Sequence, residues 1–186
     1  MNIGEEICGE WLRHLKGCDF VQYNVRTTEV QGEIDVVGIN LEKRAVYACE
    51  VAVHLVTGLQ YVRANQPDNV VRLTAKLRKD IAYLRKAFPD YQHLLMLWSP
   101  VVRNQRLGAK HNQANDVQTI VAALAQDPGV EVVPVINKRF QEVLDELRTH
   151  ARGETKEMGS TVMRFLQVEE RLKLHLGKLA PSVAEG

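Results

Sequence analysis

The chain has 186 residues, 45% of them hydrophobic, with 24 Lys and Arg against 23 Asp and Glu, a net charge of +1 at neutral pH and a pI near 7.8. That composition suits one globular domain with an adequate core, and it excludes a uniformly basic nucleic-acid binder while leaving local basic patches open. No apolar run approaches membrane length, the N-terminus has no basic-then-apolar signal, and Cys8, Cys18 and Cys49 lack metal-ligand spacing, so a soluble cytoplasmic protein with reduced, buried thiols is expected.

Ile3, Ile7, Cys8, Trp11, Leu12 and Leu15 recur at helical spacing and predict an amphipathic first helix closed by Gly17. At about 100° per residue, Glu6 falls opposite the apolar stripe, whereas Glu5 and Glu10 border its two edges. The wheel therefore excludes Glu6 as an inward ligand and does not separate Glu5 from Glu10. Residues 33–39 and 45–55 are β-prone through Val36-Val37 and Val51-Val53, and the polar segment 40–44 between them reads as a hairpin loop. Segment 65–69 is a turn carrying a good N-cap, and the helix that follows over 70–88 stops at Pro89. Residues 93–99 form a continuously apolar, fully buried strand. A helix over 115–126, a break at Asp127-Pro128-Gly129, a strand over 130–136 and helices over 138–151 and 158–177 complete the chain.

Strands alternating with helices predict an α/β fold of two or three layers, with a mixed sheet flanked by helices. The nearest approach to a boundary is Arg152-Gly153-Glu154-Thr155, which divides an α/β domain over 1–152 from a C-terminal helical extension of the same domain over 153–186. The last helix offers an accessory or homodimer element, and residues 180–186 read as a frayed tail.

Side-chain alternation puts Glu33 and Asp35 on one strand face, and Glu50, Ala52 and His54 on one face of the next strand. Across the hairpin, Asp35 and Glu50 come to neighbouring strands pointing the same way. Each is flanked by apolar residues that predict burial, and a buried unpaired carboxylate is costly, so a bound ion or a strong cationic partner is expected. Hard oxygen ligands of this kind suit Mg²⁺ or Mn²⁺; the competing reading is a structural salt bridge. Glu33 has Arg26 as a candidate partner. For His54 a hydrogen-bonded strand histidine is weighed against a phosphate contact or proton transfer. The sequence holds neither a nucleophile elbow nor a phosphate-cradling glycine loop.

Gly4-Glu5-Glu6-Ile7-Cys8 with Trp11-Leu12 and Gly17, then Asn24-Val25-Arg26, Gly32-Glu33-Ile34-Asp35 and Cys49-Glu50-Val51, resemble the opening half of small resolvase-like members of the PD-(D/E)XK nuclease superfamily. The resemblance covers roughly residues 3–52. It implies a restriction-endonuclease-like mixed sheet, hydrolysis of DNA with Mg²⁺ or Mn²⁺, and Glu5, Asp35 and Glu50 as the metal-site carboxylates. Glu50-Val51-Ala52 departs from the family's Glu-x-Lys pattern, in which the lysine helps to position or polarise the attacking water. Some members of the superfamily take that lysine from a nearby helix instead.

The 70–88 helix carries Arg72, Lys76, Arg78, Lys79, Arg85 and Lys86 against the single Asp80, and the loop after the buried strand adds Arg103, Arg106, Lys110 and His111. Arg72, Lys76, Arg103, Arg106 and Lys110 are the candidate phosphate contacts; the competing reading of such a helix is an ordinary solvated face. Lys76 borders the stripe of Val70, Leu73, Leu77, Ile81 and Leu84, while Lys79 points away, so Lys76 is the better candidate for a displaced active-site lysine. The reading that results is a metal-dependent nuclease acting on DNA rather than RNA, with Asp35, Glu50 and Lys76 as its catalytic residues. The alternative is a catalytically degenerate nuclease fold serving as a DNA-binding or protein-interaction subunit. A third reading is an assembly protein whose carboxylates merely satisfy basic side chains.

Overall fold

The computed structural model describes residues 2–26, 32–104 and 111–179. In chain order its elements are α1 (Ile3–His14), β1 (Phe20–Arg26), β2 (Glu33–Asn40), β3 (Ala45–Val51), β4 (Val62–Arg63), β5 (Gln66–Pro67), α2 (Asn69–Ala87), β6 (Gln92–Ser99), α3 (Gln113–Leu124), β7 (Val130–Ile136), α4 (Asn137–Gly153) and α5 (Thr161–Leu176).

Capping chemistry starts α1. The Asn2 side chain accepts from the N–H groups of Gly4 and Glu5, and the Glu5 carboxylate accepts in return from the Asn2 N–H at 3.0 Å, a reciprocal pair that satisfies otherwise orphaned donors. Gly17, with φ 65, turns the chain out of the helix toward β1.

The main sheet has the order β1-β2-β3-β6-β7. β1, β2 and β3 form an antiparallel meander, whereas β3, β6 and β7 are parallel neighbours joined by the crossovers through α2 and α3. Parallel strands need cover on both faces, and the continuously apolar β6 receives it. On one face, Trp11, Leu12, Trp98, Phe140, Leu147 and Met163 bring α1, α4 and α5 onto the sheet. On the other, Leu73, Leu77, Ile81, Leu95, Leu97 and Ile120 do the same for α2 and α3. The result is a three-layer α/β fold with a five-stranded mixed sheet. Trp98 is its pivot, in edge contact with Trp11 at 5.4 Å and with Phe140 at 6.0 Å.

Several boundaries differ from expectation. β1 was not anticipated as a strand. β3 ends at Val51, four residues before the expected end at 55, which leaves His54 in a loop closed by the Gly58 N–H bonding to the His54 carbonyl. Segment 62–67 is a small hairpin rather than a plain turn. Asp68 makes no side-chain cap, and the neighbouring Asn69 is instead buried, accepting from the Tyr61 N–H and donating to the Leu59 carbonyl and to Asp116. Glu6, which the wheel put opposite the apolar stripe of α1, accepts the Val162 N–H at 3.1 Å and so docks the start of α5. α5 packs on α4 and α1, and among the described residues no helix is long and apolar enough to cross a membrane.

Candidate active site

The site is built at a fork in the sheet. β1 and β2 pair continuously as far as Tyr23↔Val36 and again at Val25↔Ile34; between these stretches lie Asn24, whose φ of 50 is left-handed, and Asp35. Before the break, Val21, Tyr23 and Val36 pack on the α1 face; after it, Val25 and Ile34 pack on the α2 face. The β2–β3 ladder likewise stops at Val36↔Cys49. Beyond that point a side chain bridges the two strands, with the Val51 N–H donating to Asp35 Oδ2 at 2.7 Å. Asp35 thus lies across from Glu50 where β2 leaves β3, at the carboxyl end of the parallel strands, the place where α/β sheets commonly bind ligands.

Lys76 reaches this fork from α2. Its Nζ lies 3.3 Å from Asp35 Oδ1, to which it donates, and is also ion-paired with Glu50 Oε2. Asp80, one turn further along α2, is buried, and its Oδ2 has no hydrogen-bond partner among the described residues. Two carboxylates therefore share one ammonium, with the buried Asp80 nearby feeling its charge and that of Lys79, and the proton affinities follow from that shortage. Burial, helped by the Asp35 charge and only partly opposed by Lys76, pushes Glu50 up to about 8. Burial likewise pushes Asp80 up to about 7, with Lys76 opposing and Asp35 assisting. For Lys76 burial acts the other way, but the Glu50 and Asp35 carboxylates outweigh it and hold the ammonium above the usual lysine range. Burial and the Glu50 charge push the neighbouring Tyr61 phenol up to about 12, so it stays protonated.

Lys76 and Asp80 also line a cleft of about 530 Å³, whose other walls include Glu33, Arg63, Arg72 and Lys79. Arg72 lies over the Tyr61 ring, 4.6 Å from its centroid. Arg63 comes from the β4–β5 hairpin, whose tip residues Ala64 and Asn65 are both left-handed, as a tight two-residue hairpin turn requires.

The structure therefore brings Asp35, Glu50, Lys76 and Arg72 together. Glu5 is buried and closes the α1 capping box with Asn2, while Glu10 accepts from Arg13 and pairs with His14 at 3.1 Å. Among the described residues, no three His, Cys, Asp or Glu side chains form a group able to hold a metal ion. His54 is exposed in its loop, edge-on to Tyr61 at 6.3 Å. Arg26 and Glu33 are register partners at the end of the β1–β2 ladder. Lys79, expected to point away, is exposed at the mouth of the same cleft. Arg103 donates to the Val56 carbonyl and lines a separate, smaller cleft with Thr57, Gln60 and Asn69. Arg106 and Lys110 lie outside the described residues.

No protein-family model, curated protein or solved structure matches this chain. What the site can do follows from its own donor set. Asp35 and Glu50 offer hard oxygens, and with Asp80 ionised the cluster carries more negative charge than Lys76 neutralises. A divalent cation relieves that excess. Mg²⁺ in particular needs only one or two protein carboxylates, its other positions going to water and substrate phosphate, so two converging carboxylates fit it.

Asp80, Arg63 and Tyr61 were missed as site residues. For Asp80 a signal existed: Leu73, Leu77, Asp80 and Leu84 follow the spacing of a buried helix seam, which places a lone acid among core positions.

Proposed function

We propose that this chain is a metal-dependent nuclease that hydrolyses phosphodiester bonds of DNA, on a restriction-endonuclease-like fold with a site of the PD-(D/E)XK type. The observation that carries the reading is the Lys76 ammonium, which pairs with both Asp35 and Glu50 from a helix facing the strand that ends just before Ala52. A cation thus stands beside the carboxylate pair even though position 52 lacks one.

Asp35 and Glu50 would hold the divalent ion, Mg²⁺ or Mn²⁺. When bound, such an ion polarises a phosphate and lowers the pKa of a water molecule. Lys76 holds positive charge where the pentavalent phosphate gathers negative charge. The Val51 N–H fixes the orientation of Asp35, and Arg63, Arg72 and Lys79 at the cleft hold the nucleic-acid backbone through its phosphates.

Asp35→Asn is expected to abolish cleavage of labelled duplex or single-stranded DNA in Mg²⁺ or Mn²⁺ while leaving the fold intact. Calorimetric titration should show millimolar or tighter divalent binding to wild type that the variant loses. Absence of both binding and cleavage in wild type overturns the enzymatic reading.

The second reading, a catalytically degenerate DNA-binding subunit, is favoured by one feature: the Arg63, Arg72 and Lys79 rim needs no metal to attract phosphates. With Lys76 of the same cleft as a fourth phosphate contact to duplex DNA, the log–log salt slope of binding in chelator should be about −3.6, and each charge removed should make it shallower by about one unit. Fluorescence anisotropy across a salt series measures this. No saturable binding at low salt removes the nucleic-acid reading in both forms.

A further inference from the structure

α5 presents two different faces. Val162, Met163, Leu166 and Gln167 are buried in the layer formed with α1 and α4. Phe165, Val168, Leu172 and Leu176, by contrast, are 68, 53, 53 and 54% exposed, and their spacing lines them up along the outer side of the helix. Together they present on the order of 400 Å² of contiguous apolar surface, a size that marks interaction sites on monomers.

We infer that α5 is the self-association element of this chain, pairing in parallel with α5 of a second copy about a two-fold axis that runs along the helices. Phe165, Val168 and Leu172 occupy successive a, d and a positions of a heptad, so in a parallel pair each meets its own counterpart in a closed layer. Arg164 then stands at a g position and Glu169 at the following e position. In the parallel arrangement, each Arg164 reaches Glu169 of the second copy, and the symmetry makes two such pairs. The antiparallel arrangement that would seat Phe165 on Leu172 instead sets Arg164 opposite Arg171, the next g position, and Glu169 opposite its own counterpart, like charge against like.

Charge complementarity therefore selects both the second copy as occupant and the parallel direction. Within one chain, Arg164 bonds Glu157 at 2.6 Å and Gln167 at 2.9 Å, and Glu169 pairs with Lys173 at 3.0 Å and Arg148 at 3.4 Å. The ion pairs among these are partly or largely solvent-exposed and of little net worth, so they exchange for partners on a second copy. The apolar strip supplies about half of the ~800 Å² that each partner in a stable complex buries, with the charged flanks as the rim, so a micromolar dimer is expected.

Sedimentation velocity from about 1 to 200 µM tests this, with a concentration-dependent dimer as the expected result. Leu172→Glu should remain monomeric at every concentration with an unchanged melting temperature, because the side chain is exposed. Leu172→Cys should form a disulfide-linked dimer under mild oxidation, since parallel pairing places the residue against itself, and the native Cys8, Cys18 and Cys49 are all buried. Arg164→Glu should weaken the dimer, and adding Glu169→Arg to the same chain should restore it. A monomer throughout, a dimer indifferent to Leu172→Glu, or a dimer in which Leu172→Cys does not cross-link overturns the inference.

Discussion

Lys76→Ala should lower DNA cleavage by roughly a hundredfold, because a cation held at the developing phosphate charge is worth about 3 kcal/mol of transition-state stabilisation. The same change strips from Asp35 and Glu50 the ammonium that pairs with both. Breaking a fully buried ion pair costs about 3–5 kcal/mol. Here the cost is smaller, since the Lys76 side chain is 29% exposed and Glu50, already pushed up to about 8, takes a proton rather than remain a bare charge. The stability loss should therefore be smaller at pH 6 than near pH 8, the part owed to the Asp35 contact remaining at both, and activity is compared at the lower pH where foldedness is better matched. Lys79→Ala, at the exposed mouth of the cleft, should mainly weaken binding. Ala52→Lys should partly rescue Lys76→Ala, because Ala52 is buried against the α2 side of the sheet beside Glu50. Rescue is only partial, since Ala52 belongs to the buried apolar cluster under α2 and the new side chain has to leave it. Equal and small effects of both lysine changes on turnover would reduce Lys76 to a structural counter-ion.

Periodicity carried the centre of this site. Asp35 and Glu50 were legible because strand alternation and a short hairpin leave few registers, and Val36↔Cys49 is one of them. Lys76 was legible because it borders the apolar stripe of its helix, and the cationic partner expected for two buried carboxylates turned out to be that lysine. Where the reading stopped short, a tertiary contact decided the outcome. Composition stays β-prone through Val53, yet β3 ends at Val51, whose N–H is taken by the Asp35 carboxylate instead of a ladder partner. β1 escaped notice because Asn24 interrupts its alternation and sends Val25 to the other face of the sheet. Arg63 and Tyr61 depend on a hairpin with two residues per strand, too short for any periodic signal. Glu5 and Glu10 could not be separated on the wheel; Glu5 closes the capping box with Asn2, and Glu10 pairs with Arg13 and His14.

The crowding of carboxylates around Lys76 has a thermodynamic signature. In chelator, the protein should lose stability as the pH rises from about 4 to about 8. Unfolded, Glu50 and Asp80 release their protons near 4.5 and 3.8; folded, they hold them until about 8 and about 7. Between those limits the folded state binds more protons than the unfolded state, so unfolding becomes easier with each step up in pH and levels off above about 8. Lys76 acts outside this window: its raised value contributes stability that is fully present below the ordinary lysine range and is lost only at higher pH. Because the carboxylates compete for one ammonium their effects are not additive, and the combined loss should be on the order of 4 kcal/mol, or roughly 10 °C in Tm for a chain of this size. Asp80→Asn and Glu50→Gln should each flatten the profile and raise Tm at pH 8 while leaving it nearly unchanged at pH 4. The two variants part company when Mg²⁺ or Mn²⁺ is added. Wild type and Asp80→Asn should gain Tm at pH 8 through preferential binding to the folded state, whereas Glu50→Gln should not, and the gain should fade at pH 5 where protons outcompete the ion. Thermal melts in chelator and in millimolar divalent ion across this range provide the check; a wild-type Tm that is flat or rising between pH 5 and 8 without metal would mean that the three carboxylates are not short of positive charge.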